Sequence, residues 1–148
     1  RGPHVMQGYW QDPETTAARY RPGRYPAERL LYTGDLFCTD EEGFLYFVGR
    51  KDDIIKTRGE KVAPKEVEAV LHQMPGVVEA AVIGVPDPLL GQAIKAYVVA
   101  APEQAPTERD IIRHCAQHLE DFAVPKIVEI RETLPRTTSG KVQKRALV

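Results

Sequence analysis

The side chains that could do chemistry sit in a few polar segments. In Thr137-Thr138-Ser139-Gly140-Lys141, small polar residues and a glycine make a flexible run that presents one long cation at a loop tip. A fixed ammonium of this kind offsets repulsion where a reaction brings two anions together. The run is not a Walker phosphate loop, because the leading glycine and the spacing of GxxxxGK[ST] are absent. Lys144 and Arg145 follow closely; they could attract phosphate, but a solvated helix end is the simpler reading. Asp35 closes the segment Leu31-Tyr32-Thr33-Gly34-Asp35. A carboxylate can accept hydrogen bonds from two neighbouring hydroxyls, as on a ribose, or can simply be a turn aspartate after Gly34. The guanidinium of Arg50 can grip ribose or phosphate oxygens with paired bonds, and a surface salt bridge would use it equally well. Lys51, Asp52 and Asp53 form a polar break. Lys56, Arg58 and Lys61 surround Gly59, where the missing Cβ lets a backbone come close to a ligand; a lone basic hairpin is more often plain surface.

Cys38 and Cys115 are the only cysteines and form neither a CxxC pair nor a disulfide framework. They read as buried or half-buried thiols in a reducing compartment. His114 and His118 are spaced i, i+4 and share one helix face, as zinc ligands sometimes do, but nothing supplies further ligands and no metal site is expected.

The elements that must position these groups follow from pattern. Residues 1–30 are rich in Pro, Gly, Arg and Tyr, with Asp12 and Pro13 suited to open a short helix. LLYTGDLFCT reads as one strand, DEEG as a turn and FLYFV as the return strand. IIKTRGEKVA reads as a smaller hairpin turning near Gly59. From Pro64 the period becomes helical, with Val67, Val70, Leu71 and Met74 on one stripe and Pro75-Gly76 as the stop. VVEAAVIGV and AIKAYVVAA read as strands joined by the loop PDPLLGQ. Thr107 and Asp110 suit a capping pair for a second helix that buries Ile111, Ile112, Cys115 and Leu119. PKIVEIRE is a third strand, LPRTTSGK an extended polar loop, and VQKRALV the start of a last helix. The expected fold class is α+β: a small C-terminal domain with a central sheet of about three strands, a β-hairpin and flanking helices, preceded by a β-rich piece of another domain.

Composition sets the outer limits. The chain has 148 residues, 43% hydrophobic and 28% charged, with a formal net charge of −1. That is the balance of a globular protein, and it offers no general case for nucleic-acid binding. No apolar run approaches the roughly 20 residues of a membrane-spanning helix. The first residue is Arg1, and the first 49 residues are too few to build a good core alone, so a larger parent protein is expected.

Four segments, in order and in register over nearly the whole chain, resemble motifs of the adenylate-forming superfamily: the acyl-CoA synthetases, the adenylation domains of nonribosomal peptide synthetases and the firefly luciferases. RGPHVMQGYWQDPETT resembles a stretch near the end of their large N-terminal domain. LYTGD resembles the ribose-binding motif, GRKDDIIKTRGEKVAPKEVE the hinge and first hairpin of the small domain, and LPRTTSGKVQKRAL the loop of the catalytic lysine. The resemblance implies residues 1–49 as the end of the large AMP-binding domain, 50–53 as the hinge and 54–148 as the mobile small domain. It implies nucleotide-binding roles for Asp35 and Arg50, a hinge at Asp52 and a catalytic Lys141 bridging substrate carboxylate and α-phosphate. It places Lys56, Arg58, Gly59 and Lys61 beside the pantetheine tunnel. ATP and AMP, Mg2+ held mainly by the absent N-terminal domain, a carboxylic acid, and CoA or a phosphopantetheine carrier as acceptor are implied with them. The phosphate loop, acid pocket and adenine site have no counterpart here, so the chain by itself is expected to be inactive. A cytoplasmic acyl-CoA synthetase is the expected parent. The rivals are a carrier-loading adenylation domain (disfavoured because no carrier segment follows Val148), a luciferase-type oxygenase, and a non-catalytic module that binds nucleotide or carrier.

Overall fold

The carboxylate of Asp12 accepts a hydrogen bond from the Thr15 amide (2.9 Å) and Pro13 fills the first helical position, so helix α1 runs over Pro13–Arg19 as its cap predicts. The structure, a computed structural model, describes residues 2–147; Arg1 and Val148, which bound the expected segments, lie outside the described residues. Strands β1 (Tyr20–Pro22) and β2 (Arg29–Leu31) pair antiparallel, Tyr20 opposite Leu31. Tyr20 is buried; its hydroxyl donates to the Met6 carbonyl, and the Arg29 guanidinium lies 4.0 Å from its ring centroid. These elements belong to a first compact unit that ends at Asp35. Helix α1 buries no residue, and Trp10 is 89% exposed, which is the shortage of apolar partners expected of this segment.

The second unit begins at Leu36. Strands β3 (Asp35–Thr39) and β4 (Leu45–Arg50) form a two-stranded sheet, with Asp40 holding the turn through the Phe44 amide (2.9 Å) and the Tyr46 hydroxyl (2.8 Å). The expected strand LLYTGDLFCT is therefore two strands. Gly34 has φ +83°, a left-handed conformation that cannot continue an extended strand, and the chain turns between β2 and β3. The compact units thus divide at residue 35, and residues 36–49 cluster with the elements C-terminal to them. One contact doing this is the Lys65 ammonium, 4.8 Å from the centre of the Phe47 ring.

Beyond a 3₁₀ turn at Lys51–Asp53, strands β5 (Ile55–Thr57) and β6 (Glu60–Val62) make the small hairpin. Arg58 (φ 52°) and Gly59 (φ 85°) both adopt left-handed torsions, the two-residue turn that matches strand twist. Helix α2 (Pro64–His72) starts on Pro64 and buries Val67, Val70 and Leu71. Strands β7 (Val77–Asp87) and β8 (Gly91–Ala100) pair antiparallel and run through most of the expected PDPLLGQ loop. The turn shrinks to residues 88–90 because Asp87 Oδ1 accepts the amides of Leu89 and Leu90, each at 2.9 Å. Helix α3 (Glu108–His118) carries the full capping box of Thr107 and Asp110. It returns the chain to β9 (Ile127–Arg131), which lies parallel to β8. Hairpin and strands join in one five-stranded sheet, β6-β5-β8-β7 with β9 also on β8.

Both faces of this sheet are covered. Ala80, Val82, Ile94, Ala96 and Val98 face α2 and α3 in the main core, with Val67, Leu71, Ile111 and Cys115. The alternate residues Ala81, Ile83 and Tyr97 form a second cluster with Leu134 and Leu147 from the C-terminal segment. Burying one large aliphatic side chain contributes about 1.5–3 kcal/mol, so the main core dominates stability and the second cluster fastens the tail.

Cys115 sits in the main core, where burial pushes its thiol up to about 11, whereas Cys38 is exposed, contrary to the expectation that both thiols are buried or half-buried. Strand β3 turns Cys38 outward, its Sγ 3.8 Å from the Tyr46 carbonyl. Alkylation of the native chain at pH 8 is expected to modify one thiol rapidly and the second only in denaturant. Two equally fast thiols would contradict the burial of Cys115.

Candidate functional site

The Lys141 loop is a closed turn. The Gly140 amide donates to the Thr137 carbonyl (2.9 Å), the Thr137 amide to the Lys141 carbonyl (2.8 Å), and the Lys141 amide to Thr137 Oγ1 (3.2 Å). Gly140 closes it with φ +81°. The strand-like bridge between Arg136 and Val142 forms the base, and the Lys141 side chain stands exposed at the tip. The sequence reading of an extended polar loop is thus corrected to a hydrogen-bonded hairpin-like turn. Its two ends are anchored by the second cluster through Leu134 and Leu147, and the Tyr97 hydroxyl donates to the Leu147 carbonyl. Tyr97 is itself held between cations, with Arg131 4.4 Å and Lys95 4.6 Å from its ring centre. Glu129 joins the two, at 2.7 Å from Lys95 and 2.6 Å from Arg131, and these hydrogen bonds keep its carboxyl below the usual range.

The last expected helix is one 3₁₀ turn, Lys144–Ala146. Lys144 is not a solvated helix end. Its ammonium is 2.6 Å from Glu68 Oε1, which also accepts the Val82 amide at 2.8 Å, so one carboxylate ties α2, β7 and the tail together. Arg145 is exposed. Composition gave no sign of the Glu68 pairing, because the partners lie far apart in the chain.

Lys144 also stands between two small cavities beside the polar break. One, of about 170 Å³, is lined by Asp52, Asp53, Ile55 and Gln92; the other, of about 150 Å³, by Gly49, Arg50, Asp53 and Glu68. Gln92 was not anticipated: its Oε1 accepts the Lys56 amide at 2.8 Å, fastening β5 to β8. Arg50 and Asp52 are exposed, Arg50 at the start of the 3₁₀ turn and Asp52 within it. Lys56, Arg58, Gly59 and Lys61 are all exposed on the small hairpin, and a Cβ at Gly59 would meet nothing within 4 Å. Lys56 and Lys61 are direct cross-strand partners. Like charges placed opposite one another repel, and an anion between them relieves the cost. Asp35 belongs to the first unit; it is half-buried and its amide donates to Thr33 Oγ1 at 3.2 Å.

The described residues contain no group of three or more His, Cys, Asp or Glu placed to hold a metal ion. His114 and His118 do share a helix face, with ring centres 4.5 Å apart, but Cys115 between them points into the core.

Residues 66–141, from α2 to the loop-tip lysine, match the AMP-binding enzyme C-terminal domain. The chain belongs to this family. It is 43% identical over 147 residues to a long-chain-fatty-acid–CoA ligase of Escherichia coli O157:H7, a match that covers 99% of this chain and 25% of that protein. Its fold superposes on ATP-bound MatB from Rhodopseudomonas palustris with a TM-score of 0.88 at 39% identity, covering 99% of this chain and 28% of the other. The amide bond synthetase McbA from Marinactinospora thermotolerans matches at TM-score 0.84 and 39% identity, over 99% of this chain and 29% of that one. The chain spans about a quarter of the length of the curated relatives it matches.

Proposed function

We propose that these residues are the C-terminal part of an AMP-forming acid–thiol ligase of the acyl-CoA synthetase kind. The observation that carries this reading is the lysine loop: an exposed cation on a hydrogen-bonded turn, seated on the domain by its own hydrophobic cluster. In the first half-reaction a carboxylate oxygen attacks the α-phosphorus of ATP, the new P–O bond forms and pyrophosphate leaves. Two anionic groups must meet, and the Lys141 ammonium at the loop tip offsets their repulsion. Asp35 accepts hydrogen bonds from the nucleotide's ribose hydroxyls, and Arg50 donates to its ribose or phosphate oxygens. The domain then turns about Asp52, with residues 50–53 as the hinge between segments 1–49 and 54–148, and withdraws Lys141.

In the second half-reaction a thiol gives up its proton to solvent and attacks the acyl carbon, the S–C bond forms, and AMP leaves with the electron pair of the broken C–O bond. The hairpin bearing Lys56, Arg58, Gly59 and Lys61 then lies along the thiol's entry path. The facing pair Lys56 and Lys61 supports this, because CoA and phosphopantetheine both bring phosphate. That chemistry fits CoA and a carrier protein alike. The relatives named as CoA ligases favour CoA, and the reading places the reaction in the cytoplasm. Among the described residues, no helix is long and apolar enough to cross a membrane. A purely binding module is disfavoured by Lys141, which such a module would not need on a built turn.

The 148-residue chain alone is expected to show no ATP–pyrophosphate exchange with any acid in a panel. The complete ligase should exchange with a subset of those acids and form a thioester with CoA. Robust exchange by the chain alone would overturn the half-site reading, and transfer only to a carrier protein would favour the adenylation-domain alternative.

A further inference from the structure

We propose that Arg136 and Glu79 are a positioning pair for Lys141. The inference rests on the reading of Lys141 as the cation at the reacting centre. The guanidinium of Arg136 holds two acceptors at once. Nη1 donates to the Gly140 carbonyl at 2.6 Å, and Nη2 pairs with Glu79 Oε1. The Gly140 carbonyl belongs to the peptide group that carries the Lys141 amide, and that amide donates to Thr137 Oγ1. The peptide unit next to Lys141 is therefore gripped on both sides.

The other end of the strut is rigid. Glu79 lies in β7, paired opposite Val99 of β8, on the sheet face shared with Ala81 and Ile83. Contacts thus run from the sheet through Glu79 and Arg136 to the backbone of Lys141. The local hydrogen bonds of Thr137 close the turn but do not aim it, since they join the turn only to itself. Leu134 and Leu147 anchor its ends at a distance along the chain. Val142, next to Lys141, also packs against this cluster, and Arg136 adds a hydrogen-bonded tie from the tip to the sheet. A planar fork with several fixed donors can hold a carbonyl and a carboxylate together, which a lysine ammonium at the same position cannot match in geometry. Arg136 touches no reacting atom in this scheme and acts through Lys141.

The test uses the complete ligase with Arg136→Ala, Arg136→Lys, Glu79→Gln and Lys141→Ala, and assays each half-reaction separately. The kcat of acyl-adenylate formation is expected to fall roughly 100-fold in Arg136→Ala, as misplacement by about 1 Å can cause, with KM for ATP little changed. Arg136→Lys should recover only part of the loss, and Glu79→Gln should lose about tenfold. Thioester formation from supplied acyl-adenylate should change less than about threefold, and the melting temperature should hold. Unchanged adenylation in Arg136→Ala, or equal loss in both half-reactions with a lowered melt, would overturn the pair as a positioning device. The Lys141→Ala control separates the two levels. If that variant loses adenylation selectively while Arg136 and Glu79 variants do not, the strut fails and the reading of Lys141 stands. If Lys141→Ala is not selective, that reading fails and the strut falls with it. Should Arg136→Ala not fold, the decision passes to Arg136→Lys and Glu79→Gln, which keep charge or shape.

Discussion

Lys141→Ala is expected to lower acyl-adenylate formation by the complete ligase about 10²–10³-fold, the range seen when one preorganised group that stabilises developing charge is removed. The lysine stands exposed on a turn whose backbone hydrogen bonds do not involve its side chain, so truncation leaves the loop intact. Thermal melting should be unchanged. Thioester formation from supplied acyl-adenylate should proceed near the wild-type rate, because the proposed rotation carries the lysine away before the thiol attacks. Stopped-flow measurement of each half-reaction decides it, and equal losses in both would remove Lys141 from its special role. Lys141→Arg should rescue poorly, since the broader guanidinium places its charge differently.

Asp52→Pro is expected to uncouple the two half-reactions by about 100-fold or more, with acyl-adenylate accumulating on the enzyme and thioester release lost. Asp52 is the second residue of the 3₁₀ turn Lys51–Asp53 between β4 and β5. Proline there fixes φ near −65°, removes an amide donor and disfavours the helical region for Lys51, so the junction loses the torsional freedom that a hinge requires. The turn is exposed and the main core begins only at Ile55, so the melt should shift by no more than about 5 °C. Single-turnover assays of both steps, run beside the melt, read the outcome. Wild-type thioester formation would show that the enzyme needs no rotation at this residue. Loss of both steps together with the melt would show that Asp52 is a structural residue.

Much of the fold was legible because it is local. The Asp12 cap with Pro13, the Pro64 start of α2, the Thr107–Asp110 box and the turn near Gly59 are each decided within a few residues, and each formed as read. The stripe of Val67, Val70 and Leu71 and the buried face of Ile111 and Cys115 named the helical side of the main core, since side-chain periodicity follows directly from backbone geometry. The four motifs brought the family into view, and Lys141, Asp35 and the polar break came with them.

Local pattern was thus enough for most of the elements, the helical side of the main core and the cation at the loop tip. The surroundings of that cation depended on tertiary folding. Apolar residues on both alternations of β7 and β8 had to be covered on two faces, and the second cover proved to be the C-terminal segment with Leu134 and Leu147. The same folding brought Glu79 to Arg136, Glu68 to Lys144 and Gln92 to the Lys56 amide, across separations that no spacing rule spans. It also broke the expected strand at Gly34. Pairings of this kind depend on which sheet face a distant residue reaches, and that is set only when the strands find their register.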